Sequence, residues 1–227
     1  GVTGAGKTHL YIDLIRDALE RGEDVLYLLP EIALTQQIID KIKSEFGELV
    51  GVYHSRFNDN ERVEIWHKVI AGDYRIVIGV RSSIFVPFKN LGLIVVDEAH
   101  EVSFKQDDGV RYNARDVSVM RARFEGFPVI LASATPALES LHMATAGVYE
   151  KLDLPSRFGG AQLPQITLVD LTLDKPGAGR WLAQPIVLGI QERLARGEQS
   201  LLFLNRRGYA PLTLCRNCGH RFKCPNC

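Results

Sequence analysis

The sequence predicts an α/β fold, a parallel sheet flanked by helices, and three observations lead there. Short runs rich in Val, Ile and Leu recur between residues 25 and 135. Each is apolar nearly throughout, which suits a strand buried on both faces. Stretches of helical spacing separate them, and βαβα alternation is the pattern of a doubly wound sheet.

In chain order the runs are VLYLLP at 25, LVGVYHS at 49, YRIVIGV at 74, LGLIVVDE at 91 and FPVILASAT at 127. Helical spacing marks Leu10 to Arg21, with Leu10, Leu14 and Ala18 on one face, and Glu61 to Ala71. After about Ala146 comes a stretch rich in turn formers (Pro155, Gly159, Gly160, Pro164, Pro176, Gly177, Gly179), interrupted by one expected strand, QITLVDL at 165. Ile186, Ile190 and Leu194 then mark a helix, and SLLFLNRR at 200 an expected strand. The expected division is a first lobe over 1–150, a connection over 151–185, the start of a second α/β lobe over 186–214, and a cysteine-rich module beginning over 215–227. One helix and one strand cannot bury a core alone, so the second lobe is expected to be truncated.

Composition bounds the partners only loosely. Hydrophobic residues make up 46% and charged residues 24%, globular values that argue against extended disorder. Lys plus Arg and Asp plus Glu are 27 each, so a grip on nucleic acid must come from local clusters. No apolar run reaches the roughly 20 residues of a membrane span, and no charged-then-apolar leader opens the chain, so the expectation is a cytoplasmic protein with no membrane partner.

Residues Gly1, Val2, Thr3, Gly4, Ala5, Gly6, Lys7 and Thr8 match the phosphate-binding loop GxxxxGK[ST]. Glycines let consecutive backbone N–H groups converge on phosphate oxygens at a helix N-terminus. Lys7 is expected to bridge the β- and γ-phosphates of ATP, and Thr8 to offer its hydroxyl to Mg²⁺. The strand that normally leads into such a loop is missing, so lobe 1 is expected to lack its first strand. Asp97 and Glu98 follow a hydrophobic run ninety residues later. Beside a phosphate loop, Asp97 is expected to hold Mg²⁺ through water and Glu98 to polarise the attacking water. Lys7, Asp97 and Glu98 are the candidate catalytic residues. With Ala99 and His100 the run reads Asp-Glu-Ala-His, which resembles motif II of superfamily 2 helicases.

That resemblance extends to Ser133-Ala134-Thr135, similar to motif III, whose hydroxyls contact the motif II histidine and link ATP state to lobe position. It places His100 at the nucleotide site. Pro30-Glu31 with Ala33-Leu34-Thr35 resembles motif Ia, and Gly79-Val80-Arg81-Ser82 the next motif that tracks nucleic-acid phosphates. Between Ser103 and Asp116 lie aromatics, cations and a glycine turn, a composition that lets bases stack on rings while guanidinium groups take phosphates. Together with GVTGAGKT, LLPEIALT, IVIGVRSSIFVPF, SATPALES and FLNRRGYAP, this loop makes the chain similar to the PriA family of bacterial replication-restart (primosomal) helicases.

The resemblance runs from the first residue to the last and implies a RecA-like lobe 1 followed by the start of a RecA-like lobe 2 with a zinc-binding insertion. It implies ATP-driven 3′ to 5′ unwinding at abandoned forks, with forked or single-stranded DNA, other primosome proteins and single-strand-binding protein as partners. Two departures stand out. The family's N-terminal DNA-binding region and second-lobe motifs V and VI have no counterpart here, so the chain is expected to be a fragment, inactive by itself. Motif II of the family often carries Glu where this chain has Ala99, a position that is not the catalytic one.

Cys215, Cys218, Cys224 and Cys227 form two CxxC pairs, each able to supply two thiolates to a tetrahedral Zn²⁺. Four thiolates in principle close one site, although a five-residue spacer is cramped beside the roughly 15 to 20 residues usual between facing knuckles. The resemblance implies another arrangement, in which eight cysteines hold two zincs, the first pair joined to the fourth and the second to the third. Residues Asn205 to Cys227 carry five Lys or Arg and no acid, a local positive surface. Two other readings remain: another superfamily 2 DNA translocase or a DEAH-type RNA helicase, or a non-hydrolysing zinc-containing nucleic-acid-binding scaffold.

Overall fold

The structure, a computed structural model, describes residues 6–31, 33–54, 57–154, 164–177, 180–203, 213–214 and 221–222. Gly1 to Ala5 of the phosphate loop, most of FLNRRGYAP, and Cys215, Cys218, Cys224 and Cys227 lie outside the described residues. The chain divides into two compact units, Gly1–Gln162 and Leu163–Cys227.

In the first unit the central strand β1 (Asp24–Leu28) is buried at every position, as a strand covered on both faces must be. It pairs in parallel with β3 (Ile76–Gly79) on one side and β4 (Leu91–Val96) on the other. Beyond them β2 (Val50–Tyr53) pairs with β3 and β7 (Val129–Leu131) with β4, giving the parallel order β2-β3-β1-β4-β7. Each strand coincides with one of the apolar runs, β1 beginning one residue earlier at Asp24.

Side chains alternate across the sheet into two cores. Val25, Tyr27 and Leu29 join Tyr11, Ile12, Ile15 and Ala18 of α1 (Lys7–Glu20) and Ile42 of α2 (Gln36–Phe46). Leu26 and Leu28 join Ile65 and Val69 of α3 (Asp59–Ala71) and Ala114 of α4 (Ala114–Glu125). Asn58 and Glu61 start α3 with a reciprocal capping box, which satisfies two backbone donors at the helix end.

The inward face of α1 differs from the expected stripe. Leu10 is 42% exposed and Leu14 half-buried, while Tyr11, Ile15 and Ala18 face the sheet. Apolar residues at 10, 11, 12, 14 and 15 offer two overlapping stripes, and only packing on the sheet selects one.

After β4 the chain makes a short antiparallel ladder, β5 (Lys105–Gln106) with β6 (Tyr112–Asn113), before α4. An eight-residue helix, α5 (Leu138–Thr145), follows β7. In the second unit α6 (Gln184–Ala195) covers the expected helix, and β8 (Thr213–Leu214) pairs antiparallel with β9 (Arg221–Phe222). The expected strand at 165 is not formed. Residues 164–170 have no regular structure, and Ile166 and Leu168 are exposed. A strand exists only in a ladder, and no described residue pairs with this segment. Residues 200–203, the described part of the run at 200, are likewise without a strand.

Candidate active site

In an all-parallel sheet every strand ends at the same edge, and ligands of such sheets bind there. The ladder continues one residue past each strand. Leu29 N donates to Gly79 O at 2.9 Å, Asp97 N to Leu28 O at 3.0 Å, and Ala132 N to Val96 O at 2.9 Å. Pro30, Val80, Asp97 and Ser133 therefore leave the sheet side by side. The segments read as four separate motifs belong to adjacent strand ends.

Gly6 enters α1 with φ 80°, a backbone conformation that glycine adopts without a side-chain clash. Its carbonyl accepts from His9 N at 3.0 Å, so Lys7 and Thr8 occupy the first turn of α1. The Lys7 ammonium reaches across to the end of β4. It lies 2.7 Å from Glu98 Oε1 and 3.4 Å from Asp97 Oδ1. Burial works to lower the lysine pKa, but the two carboxylates outweigh it and hold the ammonium above its usual range.

Glu98 has φ 46°, the one left-handed non-glycine residue among those described. Such a conformation costs roughly 1–3 kcal/mol and persists only where the surroundings enforce it. Here Glu98 N donates to Asp97 Oδ1 at 2.9 Å, and Ala99 N returns to Ala132 O at 2.9 Å. The turn thus sends the Glu98 carboxylate toward Lys7 and buries Ala99.

His100 Nδ1 lies 2.8 Å from Ser133 Oγ, which in turn accepts from Thr135 N at 3.0 Å. The same ring nitrogen is 3.6 Å from Glu98 Oε2. Hydrogen bonds thus join Lys7 to Glu98 and His100 to Ser133, and the two pairs approach to 3.6 Å between Glu98 and His100. Asp97, Glu98 and the hydroxyl of Thr8 are oxygen donors of the kind Mg²⁺ prefers, and the Asp97 side chain, 14% exposed, sits at the mouth of the core.

Residues 1–144 match the DEAD/DEAH box helicase family. The chain belongs to that family. It is 44% identical, over all 227 of its residues, to the replication restart protein PriA of Rickettsia felis, and covers 35% of that protein. It is 42% identical over 228 aligned residues to PriA of Bacillus subtilis, covering 28% of it, and 41% identical over 227 to PriA of Haemophilus influenzae, covering 31%. The chain thus spans about a third of the length of these relatives. Membership implies ATP with Mg²⁺ as the energy source of the helicase. Among the described residues no helix is long and apolar enough to cross a membrane.

The aromatic segment after motif II is arranged differently from expectation. Phe104 is 1% exposed and belongs to the core, so it cannot offer a face to a base. Tyr112 is half-buried, edge-on against Phe85 with ring centroids 5.0 Å apart, and Phe85 is 52% exposed. Arg81 donates to Lys105 O at 2.9 Å and Ser103 O at 3.4 Å, tying the next motif to the base of the β5–β6 hairpin. The hairpin turn carries Arg111 and, at Gly109, φ 66°.

Two residues of the site carry no motif signature. Tyr11 donates to Asp97 Oδ1 at 3.0 Å, and the Tyr27 hydroxyl lies 3.4 Å from Oδ2. A tyrosine at an interior helix position, four residues after the loop lysine and so on its face, is the signal that could have found the first.

Proposed function

We propose that this chain is the ATP-hydrolysing part of a replication-restart DNA helicase that moves 3′ to 5′. The observation carrying the reading is the convergence of Lys7, Asp97 and Glu98 at one strand edge, with His100 joined to Ser133 on the neighbouring strand. Lys7 binds the β- and γ-phosphates once nucleotide draws it from the carboxylates. Thr8 and Asp97 would hold a magnesium ion, which would supply positive charge to the phosphates at this site. Glu98 orients the attacking water and accepts its proton. His100, bonded to Ser133, passes the state of that site toward the nucleic-acid side, where Thr35, Ser82, Arg111 and the Phe85–Tyr112 pair meet single-stranded or forked DNA.

Identity to PriA proteins across the whole chain supports restart as the cellular task, primosome proteins and single-strand-binding protein as partners, and the cytoplasm as location. In this reading Cys215 with Cys218, and Cys224 with Cys227, each supply half of the ligands of one zinc in a two-zinc module, and the lobe, connection and module boundaries are those expected above.

The test is a pair of substitutions in the intact protein. Lys7→Ala removes a phosphate contact and should weaken ATP binding and abolish hydrolysis. Glu98→Gln should keep ATP binding and lose turnover by at least about a hundredfold, the size of a general-base contribution. Equal ATP affinity in Lys7→Ala and the unsubstituted protein would sink the assignment.

A further inference from the structure

Asp97 sits beneath two hydroxyls whose rings are wholly interior. Tyr11 is 1% exposed and Tyr27 0%, and the rings meet edge to face with centroids 5.5 Å apart. Phenylalanine would fill the same space, and a buried hydroxyl is costly without a partner. Both hydroxyls find the same one.

The two carboxylate oxygens are engaged unequally. Oδ1 accepts from Tyr11 at 3.0 Å and from Glu98 N at 2.9 Å, with the Lys7 ammonium 3.4 Å away. A carboxylate oxygen has two lone pairs, so Oδ1 is saturated. Oδ2 has, among the described residues, only the long contact to Tyr27. An ionised carboxylate only accepts, so both phenol hydroxyls are the donors in these contacts.

We propose that Tyr11, backed by Tyr27, is a positioning residue for hydrolysis: its hydroxyl holds the Asp97 carboxylate in the one orientation that leaves Oδ2 free for the water shell of magnesium. This rests on the reading of Asp97 as the metal-holding acid. Without the hydroxyl the carboxylate turns about its last torsion, and the metal loses its aligned acceptor. The phosphate loop's own contacts to nucleotide are unaffected.

Mn²⁺ binding, followed by electron paramagnetic resonance on the intact protein with a non-hydrolysable ATP analogue, reads this directly. Tyr11→Phe keeps the ring and should weaken Mn²⁺ about tenfold, the loss typical of an outer-shell partner of a metal ligand. Tyr27→Phe should weaken it less. Metal-free binding of a fluorescent nucleotide should not change, and the Mg²⁺ dependence of hydrolysis should move to higher concentration. In an Asp97→Asn background, Tyr11→Phe should add nothing. Unchanged Mn²⁺ affinity, or an equal loss in the Asp97→Asn background, overturns the inference while leaving the function intact. Unsubstituted protein that binds no Mn²⁺ with the analogue overturns both. If Tyr11→Phe does not fold, the Tyr27→Phe titration decides, with no shift counting against.

Discussion

Lys7 joins the first turn of α1 to the end of β4. It neutralises two adjacent carboxylates, one of them on a residue held at φ 46°. Removing the ammonium leaves Asp97 and Glu98 facing each other across a largely buried turn. Lys7→Ala should therefore destabilise the ligand-free chain by about 1–3 kcal/mol, the usual cost of stranding a buried charged partner. Glu98→Gln keeps an acceptor for the lysine and should cost less. Urea denaturation without nucleotide compares the two, and equal stability would mean that the pairing is incidental.

The β5–β6 hairpin is the element in which packing and binding are most easily confused. Two rings divide the labour: Phe104 anchors the base of the hairpin in the core, whereas Phe85, from the segment after β3, stands half in solvent beside Tyr112. Phe104→Ala should lower stability by about 3–5 kcal/mol, as large-to-small core substitutions of phenylalanine do. Phe85→Ala should cost under about 1 kcal/mol and instead reduce the stimulation of hydrolysis by single-stranded DNA. Chemical denaturation and a stimulation ratio separate the two, and an undiminished ratio in Phe85→Ala would make that ring a surface feature. Arg81 precedes Phe85 in the segment after β3. Its guanidinium donates to the carbonyls of Ser103 and Lys105, so it braces the base of the hairpin.

At the scale of the whole molecule, hydrolysis in a helicase requires a second lobe to close over ATP and supply an arginine to the transferring phosphoryl group. The described second unit contains α6 and the short β8–β9 ladder as its regular elements. The expectation that the 227-residue chain alone binds ATP with little ATPase activity and no unwinding is checked by a turnover assay with and without single-stranded DNA. DNA-stimulated turnover by it would refute this. The cysteines make a parallel prediction from their spacing: five residues between two CxxC pairs are few for facing knuckles, so dialysis against a mild chelator should leave the chain with much less than one zinc. One tightly held zinc would show that Cys215, Cys218, Cys224 and Cys227 close a site by themselves.

Sequence alone marked the five parallel strands and three of the helices, and it singled out Lys7, Asp97, Glu98, His100 and Ser133 as candidates, because each rests on a local signal. Continuous β-branched runs declare buried strands, and a glycine-rich loop before a helix declares a phosphate site. Tertiary structure decided what depends on a neighbour. It chose Tyr11 over Leu10 as the inward side of α1, took Phe104 into the core, turned Arg81 onto backbone carbonyls, and left 164–170 without a strand. Which of two apolar stripes packs, and whether an apolar run finds a ladder, are settled by contacts across tens of residues that no local spacing encodes. The two tyrosines over Asp97 belong to that second class. Their hydroxyls mean nothing until the sheet brings α1, β1 and the end of β4 together.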